Sequence, residues 1–149
     1  MLGFLDARYD SFPNSTNPLG GAAPLDRSGQ RLPNAPEYNS LVSAQYSIPV
    51  ALEGWLGGFL TPRIEWAYRD SEMFVGPELP QATQGSYHLI NARLSYDFLG
   101  DRAQVALWGR NLADETYFTA ALPLAGILGT MTRSYAPPRL WGAELTYAF

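Results

Sequence analysis

The sequence predicts an all-β protein, an antiparallel meander of about six strands, each long enough to cross a membrane and together forming an open portion of a barrel. Three observations carry that expectation. Apolar and polar residues alternate with period two in stretch after stretch. The intervals between those stretches are long and short in turn, the habit of outer-membrane barrels. Only 16% of the 149 residues are charged, against about 25% in soluble domains, while 46% are hydrophobic and 13% aromatic.

The strands follow in order. Over 2–9, Leu5, Ala7 and Tyr9 oppose Asp6 and Arg8, the weakest pattern of the set. Over 39–48, Val42, Ala44, Tyr46 and Ile48 alternate with Asn39, Ser43, Gln45 and Ser47. Over 58–69, Leu60, Pro62, Ile64, Trp66 and Tyr68 form one face and Thr61, Arg63, Glu65 and Arg69 the other. Over 87–98, Ile90, Ala92, Leu94, Tyr96 and Phe98 oppose Asn91, Arg93, Ser95 and Asp97. Over 102–111, Ala103, Val105 and Leu107 oppose Gln104, Trp108 and Arg110; over 139–149, Trp141, Ala143, Leu145, Tyr147 and Phe149 oppose Glu144 and Thr146. Pro62 cannot donate to a ladder, which predicts a bulge there.

The intervals 10–38, 70–86 and 112–138 are long, and 49–57 and 99–101 are short. With the short side periplasmic, the lipid-facing aromatics fall into two girdles: Tyr46, Tyr96, Phe98, Tyr147 and Phe149 at periplasmic ends, and Tyr9, Trp66, Tyr68 and Trp141 at extracellular ends. The lumen face is then lined by Arg63, Glu65, Arg93, Asp97, Trp108, Arg110 and Glu144. A two-residue loop at Gly100 and Asp101 would pair Leu99 with Arg102 and fix every pair behind it, with type II′ geometry at Gly100. Asp97 then meets Gln104, Ser95 meets Ala106, and Arg93 meets Trp108, a guanidinium on an indole worth about 0.5 to 1 kcal/mol.

Composition excludes several classes. A net charge of −4 and a pI of about 4.8 argue against nucleic acid, whose binders concentrate positive charge. The absence of cysteine removes disulfides, thiolate nucleophiles and the usual zinc sites. Gly 14 and Pro 12 interrupt the chain so often that no apolar run reaches the roughly 20 residues of a membrane helix. The first residues carry no basic, apolar and small-residue sequence of an export signal.

No catalytic residue, metal site or cofactor is expected. His88 is the one imidazole, without an acidic residue or second histidine at ligand spacing, and reads as an interfacial residue. No serine stands in a Gly-x-Ser-x-Gly context. Glu65, Asp97 and Glu144 read as solvated lining rather than an acid/base pair. The first long loop, with Asp10, Asp26, Arg27 and Arg31 among Pro13, Pro18, Gly20, Gly21 and Pro24, reads as extended and solvated. The third contains an uncharged apolar run, 120–129, that requires a partner. Tyr117, Phe118, Met131, Arg133 and Tyr135 are its candidate substrate contacts, set against packing on neighbouring loops.

Three stretches resemble the C-terminal barrel segment of TonB-dependent outer-membrane receptors. Leu32-Pro33-Asn34-Ala35-Pro36-Glu37-Tyr38 is similar to the lead-in to a descending strand; Leu107-Trp108-Gly109-Arg110-Asn111-Leu112-Ala113-Asp114-Glu115-Thr116-Tyr117-Phe118 is similar to the penultimate strand, which ends in an Asn-Leu-x-Asp-x-x-Tyr pattern. The run from Pro138-Arg139-Leu140-Trp141-Gly142 to Tyr147-Ala148-Phe149 is similar to the last strand, with its terminal aromatic. Leu60-Thr61-Pro62-Arg63 adds to these. The resemblance implies a 22-stranded barrel of which residues 1–149 are the C-terminal part, without signal peptide, TonB box or plug. It implies a location in the Gram-negative outer membrane and uptake of a scarce nutrient: a ferric siderophore, cobalamin or a saccharide. The implied partners are outer-membrane lipid, the rest of the barrel and plug, TonB through the N-terminal part, and the barrel-assembly machinery through Phe149. Met1 is expected not to be a natural start, the gene being truncated or split. The alternatives are a small complete outer-membrane barrel acting as adhesin or structural protein, and a soluble β-sandwich binding module.

Overall fold

A computed structural model describes residues 1–17, 23–52, 57–76, 79–100, 102–124 and 130–149. They are all-β and antiparallel, with a single 3₁₀ turn at Pro80–Ala82 and no α-helix among the described residues. The strands are β1 (Leu2–Phe4), β2 (Tyr38–Gln45), β3 (Ile48–Val50), β4 (Gly58–Arg69), β5 (Glu72–Met73), β6 (Thr83–Gln84), β7 (Tyr87–Phe98), β8 (Ala103–Arg110), β9 (Phe118–Pro123), β10 (Met131–Tyr135) and β11 (Leu140–Tyr147). The main sheet runs β1-β2-β4-β7-β8-β11, with β3 also on β4; it is open, ending at β1 and β11. The alternation over 58–69 and 87–98 reproduces β4 and β7 residue for residue.

Two compact units divide the chain. The first comprises Met1–Ser40, Tyr68–Tyr87 and Thr116–Ala136, so two of the long intervals and most of the third gather in one unit. They are not structureless. Two small hairpins, β5 with β6 and β9 with β10, stand where the sequence was read as loop. Around them lies the one hydrophobic core among the described residues: Leu79, Ala82, Phe118 and Ala121, with Phe74, Val75 and Met131 packed against it. A backbone bond from Asn34 N to Met73 O at 2.8 Å ties the first interval to the second, and one from Phe74 N to Ala82 O at 2.9 Å closes the second on itself.

The first strand is shorter than the alternation implies. Pairing of β1 with β2 runs only from Leu2 opposite Ser40 to Phe4 opposite Tyr38, followed by one more bond from Leu5 N to Glu37 O. Beyond it Arg8 Nε turns back on Asp6 Oδ1 at 2.9 Å, and the chain pairs with residues 29–32 instead, through the isolated bridge from Arg8 to Arg31 and bonds from Leu32 N to Ala7 O and Tyr9 N to Gln30 O, both at 2.9 Å. Tyr9 is therefore off the sheet, its ring tilted against Phe12 at 5.1 Å.

The second unit comprises Leu41–Ala67, His88–Glu115 and Pro137–Phe149. It is the body of the sheet, and its two faces differ in kind. One carries the apolar parity, and Val42, Tyr46, Ile64, Trp66, Leu94, Val105, Leu107, Trp141, Leu145 and Tyr147 are all exposed, Trp141 at 82% and Leu145 at 73%. Large apolar side chains left in contact with solvent over a whole sheet face exceed what a monomeric soluble protein ordinarily shows.

Register follows the hairpin arithmetic. Arg93 lies opposite Trp108, Ser95 opposite Ala106, Asp97 opposite Gln104 and Phe98 opposite Ala103. The turn geometry differs: Leu99 as well as Gly100 takes positive φ (57° and 62°), so the loop begins one residue before a type II′ turn would, and Leu99 is not laddered to Arg102. Asp101 lies outside the described residues, as do 53–56 of the short interval 49–57.

Pro62 makes no bulge in β4. Tyr46 N donates to Pro62 O at 3.2 Å, but proline has no N–H to return, and at this point the partner strand is interrupted between β2 and β3. The Ser47 and Thr61 hydroxyls bridge the gap at 3.1 Å. Register is unchanged across it, with Ile48 opposite Leu60. Nearby, Gly58 packs against the Asp97 carbonyl so closely that a Cβ would overlap the oxygen, which explains glycine at the start of β4.

Candidate functional site

The polar face of the second unit collects the charged residues that the alternation assigned to a lumen. Arg93 is their centre. Its Nη1 donates to Glu144 Oε2 at 3.1 Å and its Nη2 to Gln104 Oε1 at 3.0 Å, while Gln104 Nε2 donates to Asp97 Oδ1 at 2.6 Å. Three strands, β7, β8 and β11, are thereby joined by side chains as well as by ladders. Arg93 reaches across β8 because the residue facing Ser95 and Glu144 there is the small, buried Ala106. On β4, Arg63 Nη2 pairs with Glu65 Oε1 at 2.6 Å.

The pairing of Arg93 with Trp108 holds as register and fails as contact. A guanidinium gains more from a carboxylate and an amide oxygen than from a ring face. The cation over the Trp108 ring is Arg110, at 5.6 Å. The indole itself lies over Gly142, its cross-strand partner, where a Cβ would come within 2.7 Å of Cζ2. These groups enclose a recess of about 440 Å³ lined by Arg63, Glu65, Asn91, Arg93, Trp108, Arg110 and Glu144, with Ala92 and Gly109. The apolar face has a shallower hollow of about 840 Å³, with Tyr46, Ile64, Leu94, Leu107 and Trp141 around Ala44, Ala92 and Gly109.

The Asn-Leu-x-Asp-x-x-Tyr segment is a corner that ends β8 and receives β11. Asn111 is buried with φ 50°, a conformation Asn tolerates better than most residues. Its Nδ2 donates to Glu115 O at 2.9 Å and Pro137 O at 3.4 Å, its Oδ1 accepts from Glu115 N at 2.9 Å, and its own N–H goes to Asn91 Oδ1 at 3.0 Å. Leu112 N donates to Ile90 O at 2.8 Å. Asp114, also at positive φ (58°), accepts the Arg139 N–H on Oδ1 at 2.9 Å. Tyr117 stacks on Tyr87 with centroids 4.3 Å apart. The spacing is thus explained by what each residue holds.

The proposed substrate contacts separate. Phe118 is a core residue, between Phe74 at 5.4 Å and Tyr135 at 6.1 Å, with its N–H on Gln84 Oε1 at 2.9 Å. Arg133 lies 5.0 Å over the Phe118 ring and donates to Gln81 O at 2.8 Å; Met131 packs on the same core. Packing against neighbouring segments accounts for these three, although Arg133 remains exposed, and Tyr135 is 57% exposed. Of the apolar run, 125–129 lie outside the described residues.

The residues expected in the two girdles sort by strand end. Tyr96 and Phe98 stack at 5.6 Å and Tyr147 and Phe149 meet at 5.3 Å, all near the 99–102 turn, where Ala148 N donates to Arg102 O at 2.8 Å. Trp66 and Trp141 stand at the other ends of their strands, Tyr68 belongs to the first unit, and Tyr9 has left the sheet. His88 is exposed, and no group of three or more His, Cys, Asp or Glu comes together among the described residues. In the first long loop, hydrogen bonds from the Ser28 side chain and backbone hold the Asp26 carboxyl below its ordinary range.

Sequence reasoning missed Gln104 as the link between Arg93 and Asp97, and Gly142 as the seat of Trp108. The second was within reach, because the last strand pairs antiparallel with 102–111 and a glycine opposite a tryptophan is a packing signal. No protein-family model matches the chain, and no curated protein or solved structure matches it either.

Proposed function

We propose that this chain is the C-terminal part of the β-barrel of a TonB-dependent receptor in the Gram-negative outer membrane, a segment of a 22-stranded wall. The observation that carries the reading is the two-faced sheet: large apolar side chains exposed over one face, ion pairs and hydrogen bonds over the other, and, among the described residues, no core between sheet layers. Water satisfies the polar face and hydrocarbon the apolar one. The corner built by Asn111, Asp114 and Tyr117 gives the receptor-like motif a physical role. The chain is a transport part and performs no catalysis. Its parent takes up a scarce nutrient such as a ferric siderophore, cobalamin or a saccharide. Lipid, the remaining wall, the plug and, through the plug, TonB are its partners, and Phe149 is the terminal aromatic presented to the assembly machinery.

The open strand order disfavours a small complete barrel. The uncovered apolar face disfavours a soluble sandwich, whose sheets bury such faces against one another. The gathering of the long intervals in one unit sets the orientation to be tested. In cells making the complete receptor, a cysteine at Thr132 is expected to react with an impermeant reagent added outside, and one at Gly100 to stay silent. Labelling of Gly100→Cys with Thr132→Cys silent would reverse the orientation, and equal labelling of both in a soluble fraction would end the reading.

A further inference from the structure

We propose that the recess on the polar face binds a phosphate group. The inference stands on the folded sheet alone and does not draw on the receptor reading. Three guanidiniums, Arg63, Arg93 and Arg110, line the recess against two carboxylates, Glu65 and Glu144. Arg63 holds Glu65 and Arg93 holds Glu144, so those charges cancel in pairs and the charge of Arg110 is left over. Among the described residues no carboxylate pairs with Arg110. Asp97, on the same face, does not line the recess and accepts from Gln104.

The geometry adds direction to that charge. Arg110 lies over the Trp108 ring, 5.6 Å from its centroid, and a guanidinium stacked on a ring keeps its in-plane N–H groups free to donate. The platform is itself seated, because the indole packs over Gly142. Beside the laddered pair Ala92 and Gly109 stand Asn91 and Arg110, both lining the recess. Asn91 Oδ1 accepts the Asn111 N–H at 3.0 Å, which fixes the amide, and its Nδ2 is a donor that no acceptor among the described residues takes. Arg63 and Arg93 keep N–H groups beyond those given to their carboxylates. A phosphate compensates the extra charge and offers oxygens in several directions to these donors. A neutral ligand leaves the charge uncompensated, and a planar carboxylate has only two oxygens in one plane for donors that come from three strands. The volume of about 440 Å³ is within the roughly 300 to 1,000 Å³ of small-ligand sites.

The test is calorimetric titration of the full chain, folded in an uncharged detergent and a phosphate-free buffer at constant ionic strength. Inorganic phosphate, glycerol phosphate and acetate are the probes, and far-ultraviolet circular dichroism checks folding. Saturable binding of inorganic phosphate is expected, weakened about tenfold or more by Arg110→Gln and by Asn91→Asp, which keeps the acceptor for the Asn111 N–H but sets a negative charge in the recess. Arg102→Gln removes the same charge from an exposed residue outside the recess and is expected to leave the affinity unchanged. Acetate is expected to bind about tenfold more weakly than phosphate or not at all. Glycerol phosphate binding as well as phosphate assigns the site to a phosphoryl group carried by a larger molecule, and its exclusion assigns the site to the free ion. Absence of saturable phosphate binding in folded protein would overturn the proposal, as would acetate binding as tightly as phosphate or an equal loss in Arg102→Gln. None of these results bears on whether Trp141 meets lipid, so failure here leaves the receptor reading to its own test.

Discussion

Replacing Asn111 by alanine is expected to destabilise the folded chain by about 2 to 4 kcal/mol, the joint effect of buried backbone groups left without partners and a Cβ forced into the left-handed region. The side chain serves Glu115 N, Glu115 O and Pro137 O at once, from a site that is only 6% exposed. Asp114 and Leu112 also reach Arg139, but through one hydrogen bond each, whereas the Asn111 amide holds three backbone groups. Asn111→Gly separates the two causes, because glycine accepts φ 50° without strain and should recover about 1 kcal/mol of the loss. Urea titration in detergent followed by circular dichroism measures both. A loss below about 0.5 kcal/mol in the alanine variant, the usual effect of a surface substitution, would show that the corner is not structural.

An arginine in place of Leu107 is expected to cost about 2 to 4 kcal/mol in phospholipid vesicles, and the same change at Tyr147, near the strand end, only about 0 to 1 kcal/mol. Both positions belong to the apolar parity, Leu107 in mid-strand and at 57% exposure. Water would accept an arginine at a site so exposed with a change within about 0.5 kcal/mol. The depth dependence is what distinguishes hydrocarbon from buffer, and a flat, small response at both sites would place this face in water.

Much of the sheet was legible because it is two-sided. Wherever one face meets an apolar medium and the other a polar one, alternation marks the strand, and β4 and β7 follow from it to the residue. The pairing of β7 with β8 was legible because a short loop leaves one register, even though Leu99 turns the chain earlier than expected. Side-chain partners were less so. Lateral pairing put Arg93 on Trp108, whereas a long guanidinium crosses a small neighbour to the carboxylate on the strand beyond, and that diagonal appears only once β11 is laid against β8.

The loop unit was least legible. The β9–β10 hairpin is built on Phe118 to Pro123, where apolar residues run together without alternation, so the sequence announced only that something must cover them. What covers Phe118 and Ala121 is Leu79, Ala82 and Phe74 from the preceding long interval, a contact that no local pattern encodes. The first strand was over-read for the opposite reason: its alternation continues to Tyr9, but Arg8 finds Asp6 and Glu37, and Tyr9 finds Phe12, away from the ladder.

The two-faced sheet at the centre of this account is tested most directly by two single-tryptophan proteins in phospholipid vesicles, one keeping Trp141 on the apolar parity and one keeping Trp108 on the polar parity, the other tryptophans replaced by phenylalanine. Lipid brominated along its acyl chains is expected to quench Trp141 and spare Trp108, while aqueous iodide quenches Trp108 and spares Trp141. Iodide quenching of Trp141 without any effect of brominated lipid would contradict the membrane assignment of that face.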